Sequence, residues 1–190
     1  MVGGRPIVGS AAARAPQLRT GTLPRVPPTW TTRAETGEPD RRAIREIALA
    51  AFPTPLEADL VDALRADPQA WLPELSWVSA APDGAVAGFA LLTRCHVGDA
   101  PALALAPCAV APAHQRTGAG SAAIRAGLAR AQELGENLVV VLGHAGYYPR
   151  FGFTPASGSG ISAPFEVPEE NLMALALDPA APVPDRKSTR

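Results

Sequence analysis

The chain has 190 residues, 47% of them hydrophobic, which is enough for one compact domain with a substantial core and some residues to spare. A formal net charge of -1 gives no long-range attraction toward nucleic acid or an anionic membrane, so neither is expected as a partner. No apolar run approaches the roughly 18 residues of a membrane helix, and the N-terminus lacks the unbroken apolar stretch of a secretion signal, so a cytoplasmic protein is expected.

Residues 1–28 mix glycine, proline, alanine and arginine without an apolar period of 2 or 3.6, and read as a disordered extension. Arg5, Arg14, Arg19 and Arg25 are scattered there with no aromatic residue before Trp30, so a nucleic-acid arm is not indicated. Trp30 to Ala34 reads as a short strand. Asp40 can cap a helix through Ala51 whose Ile44, Ile47, Ala48 and Ala51 share one stripe. Pro53 and Pro55 break the chain before a second helix, Leu56 to Ala66, with Leu60, Val61 and Leu64 inward. A hairpin follows: Ser76 to Ala80 and Ala85 to Cys95 are apolar strands around the turn Pro82-Asp83-Gly84.

Ala102 to Val110 continues as a strand, and Thr117 can cap a helix from Gly118 to Leu134 that buries Ile124, Leu128 and Ala131 and stops at Gly135. Leu138 to Leu142 is a continuous apolar run, as expected of a strand covered on both faces. A helical turn around Tyr147 to Arg150 leads into Phe151-Gly152-Phe153, Asn171 to Leu177 is the last strand, and residues 179–190 read as a short tail. The domain therefore spans residues 29–178. Helices interleaved with hairpin-connected strands predict a mixed sheet covered by helices, of α/β or α+β class.

The chemistry concentrates in residues 108 to 124, CAVAPAHQRTGAGSAAI. A strand ending at Val110 passes through a loop into a helix that opens with Gly118-Ala119-Gly120. Such a helix end presents unpaired N–H groups and a partial positive charge, with Arg116 beside it, and suits a pyrophosphate. A nucleoside-triphosphate loop would need Gly-Lys, yet Lys187 is the only lysine in the chain. The dinucleotide pattern is matched formally by Gly118, Gly120 and Ala123, but the strand does not run into the first glycine and no acidic residue ends the next strand. Cys95 and Cys108, the only cysteines, are too few and too widely spaced for a zinc site or a disulfide framework, so no metal is expected and both read as packed, reduced thiols.

Gln115-Arg116-Thr117-Gly118-Ala119-Gly120, between a strand and an amphipathic helix, resembles the Q/R-x-x-G-x-G/A signature of the GNAT N-acetyltransferases. Tyr148-Pro149-Arg150-Phe151-Gly152-Phe153 resembles the family's Y-x-x-x-G-F segment at the right remove, and the order of elements from Trp30 to Pro179 is similar to the small bacterial branch. The resemblance implies a GNAT acyltransferase fold: a mixed, mostly antiparallel sheet of six to seven strands flanked by about four helices. It implies acetyl-coenzyme A (acetyl-CoA) as cosubstrate, with Gln115, Arg116, Thr117, Gly118, Ala119, Gly120 and Ser121 on the pyrophosphate. It also implies that Cys108, Ala109 and Val110 pair with the pantetheine arm, and that the Val110 N–H faces the thioester carbonyl.

Direct attack by an amine in a ternary complex is the implied mechanism, with Tyr148, otherwise a core aromatic, as the general acid for the leaving thiolate and also in contact with the coenzyme. Many relatives carry a glutamate on the strand ahead of the Val110 segment, whereas here it reads Ala102-Leu103-Ala104-Leu105-Ala106. Glu57, Glu166, His96 and His114 remain as bases, and Glu166 is preferred because its region borders the acceptor cleft in relatives. Cys108 has no base and orienting partner in sequence for a covalent route. The expected acceptor is a small-molecule or protein amine and the expected assembly a monomer or homodimer. A non-catalytic acyl-CoA sensor with the same fold is the competing function.

Overall fold

The computed structural model describes residues 29–178 and the backbone of Lys187–Ser188. The expected extension, residues 1–28, and the rest of the expected tail, 179–190, lie outside the described residues. Strands β1 (Thr31–Ala34), β2 (Ser76–Ala80), β3 (Val86–Val97), β4 (Ala100–Val110), β5 (Leu138–Leu142), β6 (Thr154–Pro155) and β8 (Leu172–Ala176) form one sheet. Their spatial order is β1-β2-β3-β4-β5-β8-β6, and every neighbouring pair is antiparallel except β4 with β5. β7 (Ile161–Ser162) pairs in parallel with β9 (Lys187–Ser188), so the segment expected as a tail returns to the domain at those residues.

Alternation along the strands sends side chains to opposite faces of the sheet. On one face Ala90, Leu92, Leu103, Leu105, Val139 and Val141 meet helix α3 (Ala119–Glu133) through Ala123, Ile124, Leu128 and Ala131. On the other, Val78, Phe89 and Leu91 meet helices α1 (Gly37–Ala51) and α2 (Leu56–Ala66) through Ile44, Ile47, Ala48, Ala58 and Val61. Further along that second face Ala102, Val140, Leu172 and Ala174 are covered by Ala156 and Ile161. Side chains as enclosed as Phe89 and Phe153 contribute about 1.5 to 3 kcal/mol each relative to exposure.

Three α-helices are present among the described residues; the expected fourth is a 3-10 turn, Tyr148–Phe151, held to four residues by Pro149 at its start and Gly152 beyond its end. Both expected caps are corrected. α1 begins at Gly37, ahead of Asp40, whose carboxylate instead reaches back to accept the Thr36 N–H at 2.7 Å and pairs through both oxygens with the Arg33 guanidinium of β1. That guanidinium holds the Asp40 carboxyl at about 2, below its ordinary 3.8, so α1 is tied to β1 by a charge that persists well into acid. Thr117 does not cap α3. Its hydroxyl donates to the His114 carbonyl at 2.5 Å and closes the preceding loop, leaving Gly118 as the residue before the helix, with φ +98°. At the far end Gly135, with φ +79°, terminates α3 as expected: the Glu136 N–H bonds the Ala131 carbonyl at 3.0 Å.

Candidate functional site

β4 and β5 run parallel but pair at only two positions, Leu103 with Val139 and Ala104 with Val140. Between Ala90 and Leu92 the β3–β4 register slips opposite the cis Ala106–Pro107 bond, and the last residues of β4, Cys108 to Val110, then pair with β3 alone. A wedge therefore opens between the ends of β4 and β5. The Ala111 N–H bonds the Ala87 carbonyl of the β3 segment at 2.8 Å, and successive amides of a strand alternate in direction. The N–H and C=O of Val110 therefore point into the wedge, where the Gln115 amide donates to that carbonyl at 3.4 Å.

α3 starts at one side of this wedge without a side-chain cap. Its first bond runs from the Ala122 N–H to the Gly118 carbonyl at 2.9 Å, which leaves the N–H groups of Ala119, Gly120 and Ser121 ahead of it at the positive helix end. Arg116, at φ 60°, and Gly118 turn the chain through left-handed backbone just before those amides. Gly120 has no room for a side chain: a Cβ there would stand 2.9 Å from Cγ2 of Val110. Trp30, placed only in a strand by its sequence, clamps the loop from outside, donating from its indole to the Thr117 carbonyl at 3.0 Å and meeting His114 edge-on at 5.5 Å.

Tyr148 closes the wedge on the α3 face. Its side chain is 8% exposed, and its hydroxyl lies 3.3 Å from the Cys108 sulfur. Burial, reinforced by Cys108 and Tyr147, pushes the phenol well above the ordinary tyrosine range, so it keeps its proton. Burial likewise raises the Cys108 thiol, an effect only partly offset by the Tyr148 hydrogen bond. The ring stands edge-on to Tyr147 and Phe153, with centroids 5.2 and 5.9 Å away. It also lies against the Gly143 backbone, where a Cβ would come within 2.3 Å of its Cε2. Tyr147 in turn places its hydroxyl 3.3 Å from Ser121 in the first turn of α3, linking the proton-bearing end of the wedge to the helix mouth. Sequence reasoning missed the Tyr147 and Gly143 contacts, although both residues adjoin the motif that singled out Tyr148.

On the opposite face an apolar cavity of about 240 Å³ adjoins the point where β4 and β5 part, bounded by residues 104–106 of β4, residues 140–142 of β5 and residues 163–165. The structure thus brings Cys108, Ala109, Val110, Tyr148 and the 115–121 loop to one wedge. Glu166 is exposed, next to the cavity-lining Phe165 but not itself in the wall. His96 and His144 are exposed, and Glu57 sits on α2 within reach of the Thr54 hydroxyl at 3.5 Å. Among the described residues no group of three His, Cys, Asp or Glu could hold a metal, and no helix is long and apolar enough to cross a membrane.

The sequence and the fold are both shared with known proteins. The chain is 42% identical over 141 residues to the uncharacterised N-acetyltransferase YjhQ of Escherichia coli K12, covering 72% of this chain and 77% of that protein. The GNAT-family N-acetyltransferase YhbS of E. coli, solved in complex with CoA, superposes with a TM-score of 0.73 at 25% identity, over 80% of this chain and 83% of that one. A GNAT-family acetyltransferase of Brucella melitensis, solved in complex with acetyl-CoA, gives 0.66 at 30% identity, over 85% and 94%. Residues 41–153, more than half of the chain, match the Acetyltransferase (GNAT) family, and the protein belongs to that family.

Proposed function

We propose that the protein transfers the acetyl group of acetyl-CoA to a primary amine by direct attack in a ternary complex. The observation that carries this reading is the buried Tyr148 hydroxyl, 3.3 Å from the sulfur of Cys108 on the same strand end whose Val110 N–H points into the wedge. The helix mouth at 119–121 takes the pyrophosphate, aided by Arg116, and the free edge of β4 at Cys108 to Val110 takes the pantetheine arm as a further strand would. A Val110 N–H fixed in the wedge stabilises the negative charge that develops on the thioester oxygen. Tyr148 gives its proton to the departing sulfur. Cys108 has no base among its hydrogen-bond partners and a raised pKa, which supports direct transfer over an acetyl-cysteine route. The two Escherichia coli and Brucella structures, with CoA and acetyl-CoA bound, support the choice of donor.

Glu166 stands where the cavity meets solvent, and we assign it a secondary part: receiving, through water, the proton that nitrogen loses after attack. The activity is placed in the cytoplasm, on a small-molecule or protein amine. The test is release of free thiol from acetyl-CoA across a panel of amines, with and without Tyr148→Phe. Thermal stabilisation by acetyl-CoA without thiol release from any amine would replace the enzyme with an acyl-CoA sensor.

A further inference from the structure

The cavity on the face opposite α3 has a chemistry of its own. Ala104 and Ala106 of β4 and Val140 and Leu142 of β5 form its wall, and Pro164 and Phe165 form its lip. Among the described residues Cys95 supplies the only side-chain heteroatom and the only ionisable group of the lining, and its thiol is pushed up to about 11 by burial, so it is neutral. Leu142 and Phe165 hold 48% and 59% of their surface in water at the mouth. Large apolar side chains left open on either side of an apolar hollow leave area for a bound apolar group to cover.

We infer that the acceptor is a primary amine carried on a compact apolar body, an arylamine or arylalkylamine, which is held in this cavity and attacks as the free base. The inference rests on the acetyl-transfer reading above and narrows its substrate. Size agrees: a cavity of about 150 Å³ lined by Leu, Ile and Phe accommodates benzene, so 240 Å³ takes one ring and a short alkyl arm. Polarity agrees as well. A polyamine, a lysine side chain or an amino sugar would bring second charges or hydroxyls that no lining side chain can pair, and burying such groups unpaired is unfavourable.

The same lining accounts for the strand that lacks a carboxylate. Ammonium is disfavoured where it loses water without gaining a counter-charge, so an apolar wall shifts the bound amine toward its neutral, nucleophilic form. The nitrogen lone pair forms the C–N bond to the acetyl carbon as the C–S bond breaks. Sulfur leaves with the bonding electrons and takes the Tyr148 proton. The surplus proton on nitrogen passes to water at the mouth, and water restores the proton of Tyr148. The titratable groups around this path are Cys95, Cys108 and Tyr148, all protonated, with Tyr147 packed on Tyr148 and Glu166 and His144 exposed beyond it.

The full chain, saturated with acetyl-CoA, is assayed by thiol release and by mass of the product on phenethylamine, benzylamine and a 4-alkylaniline, against spermidine, lysine and glucosamine. The ring-bearing amines should exceed the polar ones in kcat/KM by at least about 20-fold, the scale on which apolar pockets discriminate. Leu142→Asp and Phe165→Asp, both at exposed positions, should raise KM for phenethylamine by about tenfold or more while acetyl-CoA affinity holds. The rising limb of kcat/KM with pH should follow the acceptor's own pKa, present for phenethylamine and absent for the aniline. Preference for the polar amines, an unchanged KM in both variants, or a limb at the same pH for both acceptors overturns the inference. Absence of both acetyl-CoA binding and thiol release in the unmodified protein overturns the acetyl-transfer reading itself, and this inference with it.

Discussion

The two ends of the wedge are built from different materials. At the α3 end the binding groups are backbone amides, positioned by left-handed φ at Arg116 and Gly118 and by the bare Cα of Gly120 against Val110, all within residues 108 to 121. At the cavity end the surface is made of side chains from β3, β4, β5, β8 and the 163–165 loop, which meet only through the sheet. On the reading proposed above, the backbone site recognises what every acyl-CoA shares and tolerates changes in neighbouring side chains. A side-chain site can be rewritten residue by residue, and on the inference drawn above it sets which acceptor is used.

The sharpest way to break this contrast is at Gly120. Gly120→Glu places a side chain into Val110 and a negative charge at the helix mouth. Acetyl-CoA affinity should fall by more than about 100-fold, since like-charge juxtaposition costs several kcal/mol. Arg116→Ala should only weaken binding. Calorimetric titration checks both, and unaltered affinity in Gly120→Glu would remove the pyrophosphate from this site.

Tyr148→Phe comes next, at the centre of the wedge. The ring and its packing remain, so stability should change by only about 0.5 to 1.5 kcal/mol. Turnover should drop about 100-fold with acetyl-CoA affinity near normal, because the lost proton acts in the transition state. Pre-steady-state kinetics that show chemistry to be limiting, together with near-normal turnover in the variant, would return Tyr148 to a packing role.

Gly143→Ala tests whether the ring must lie where it does. The new methyl cannot share space with Cε2 of Tyr148, so the ring shifts. The expected result is about 1 to 3 kcal/mol of destabilisation and a fall in kcat of about tenfold or more, since small displacements at the reacting centre are expensive. KM for the acceptor should hold if the cavity is a separate side-chain surface. Thermal melts and a kcat-against-KM comparison measure the two effects independently.

The smallest effect is expected at Glu166. A required general base contributes about 100-fold or more, whereas Glu166→Gln should cost less than about threefold if an apolar cavity delivers the amine already neutral. A loss of two orders of magnitude would make Glu166 the base and shift weight from the cavity wall to a single carboxylate.

Much of the fold was legible in local patterns. Apolar stripes at helical spacing, the Pro82-Asp83-Gly84 turn and the Gly135 stop marked elements whose observed bounds differ by a residue or two, except that α1 starts at Gly37, ahead of the expected Asp40 cap. Local chemistry misled at the two caps, because another partner nearby in the chain competed for each side chain. Arg33 draws the Asp40 carboxylate back toward β1, and the His114 carbonyl takes the Thr117 hydroxyl. For Thr117 the loss of the cap leaves the first amides of α3 without a side-chain acceptor, as the proposed pyrophosphate site requires.

By itself the sequence determined the succession of the main strands and helices along the chain and the glycine-opened helix mouth at 118–121. Each of these depends on residues close together in the chain, where periodicity, glycine placement and turn chemistry operate. Tertiary structure alone decided the opening of the wedge where β4 leaves β5 after Ala104, the seating of Tyr148 on Gly143, the indole of Trp30 on the Thr117 carbonyl and the apolar character of the cavity. All but the Tyr148–Gly143 contact join residues tens of positions apart, and which side chains share a wall is fixed by strand register and packing rather than by any local preference.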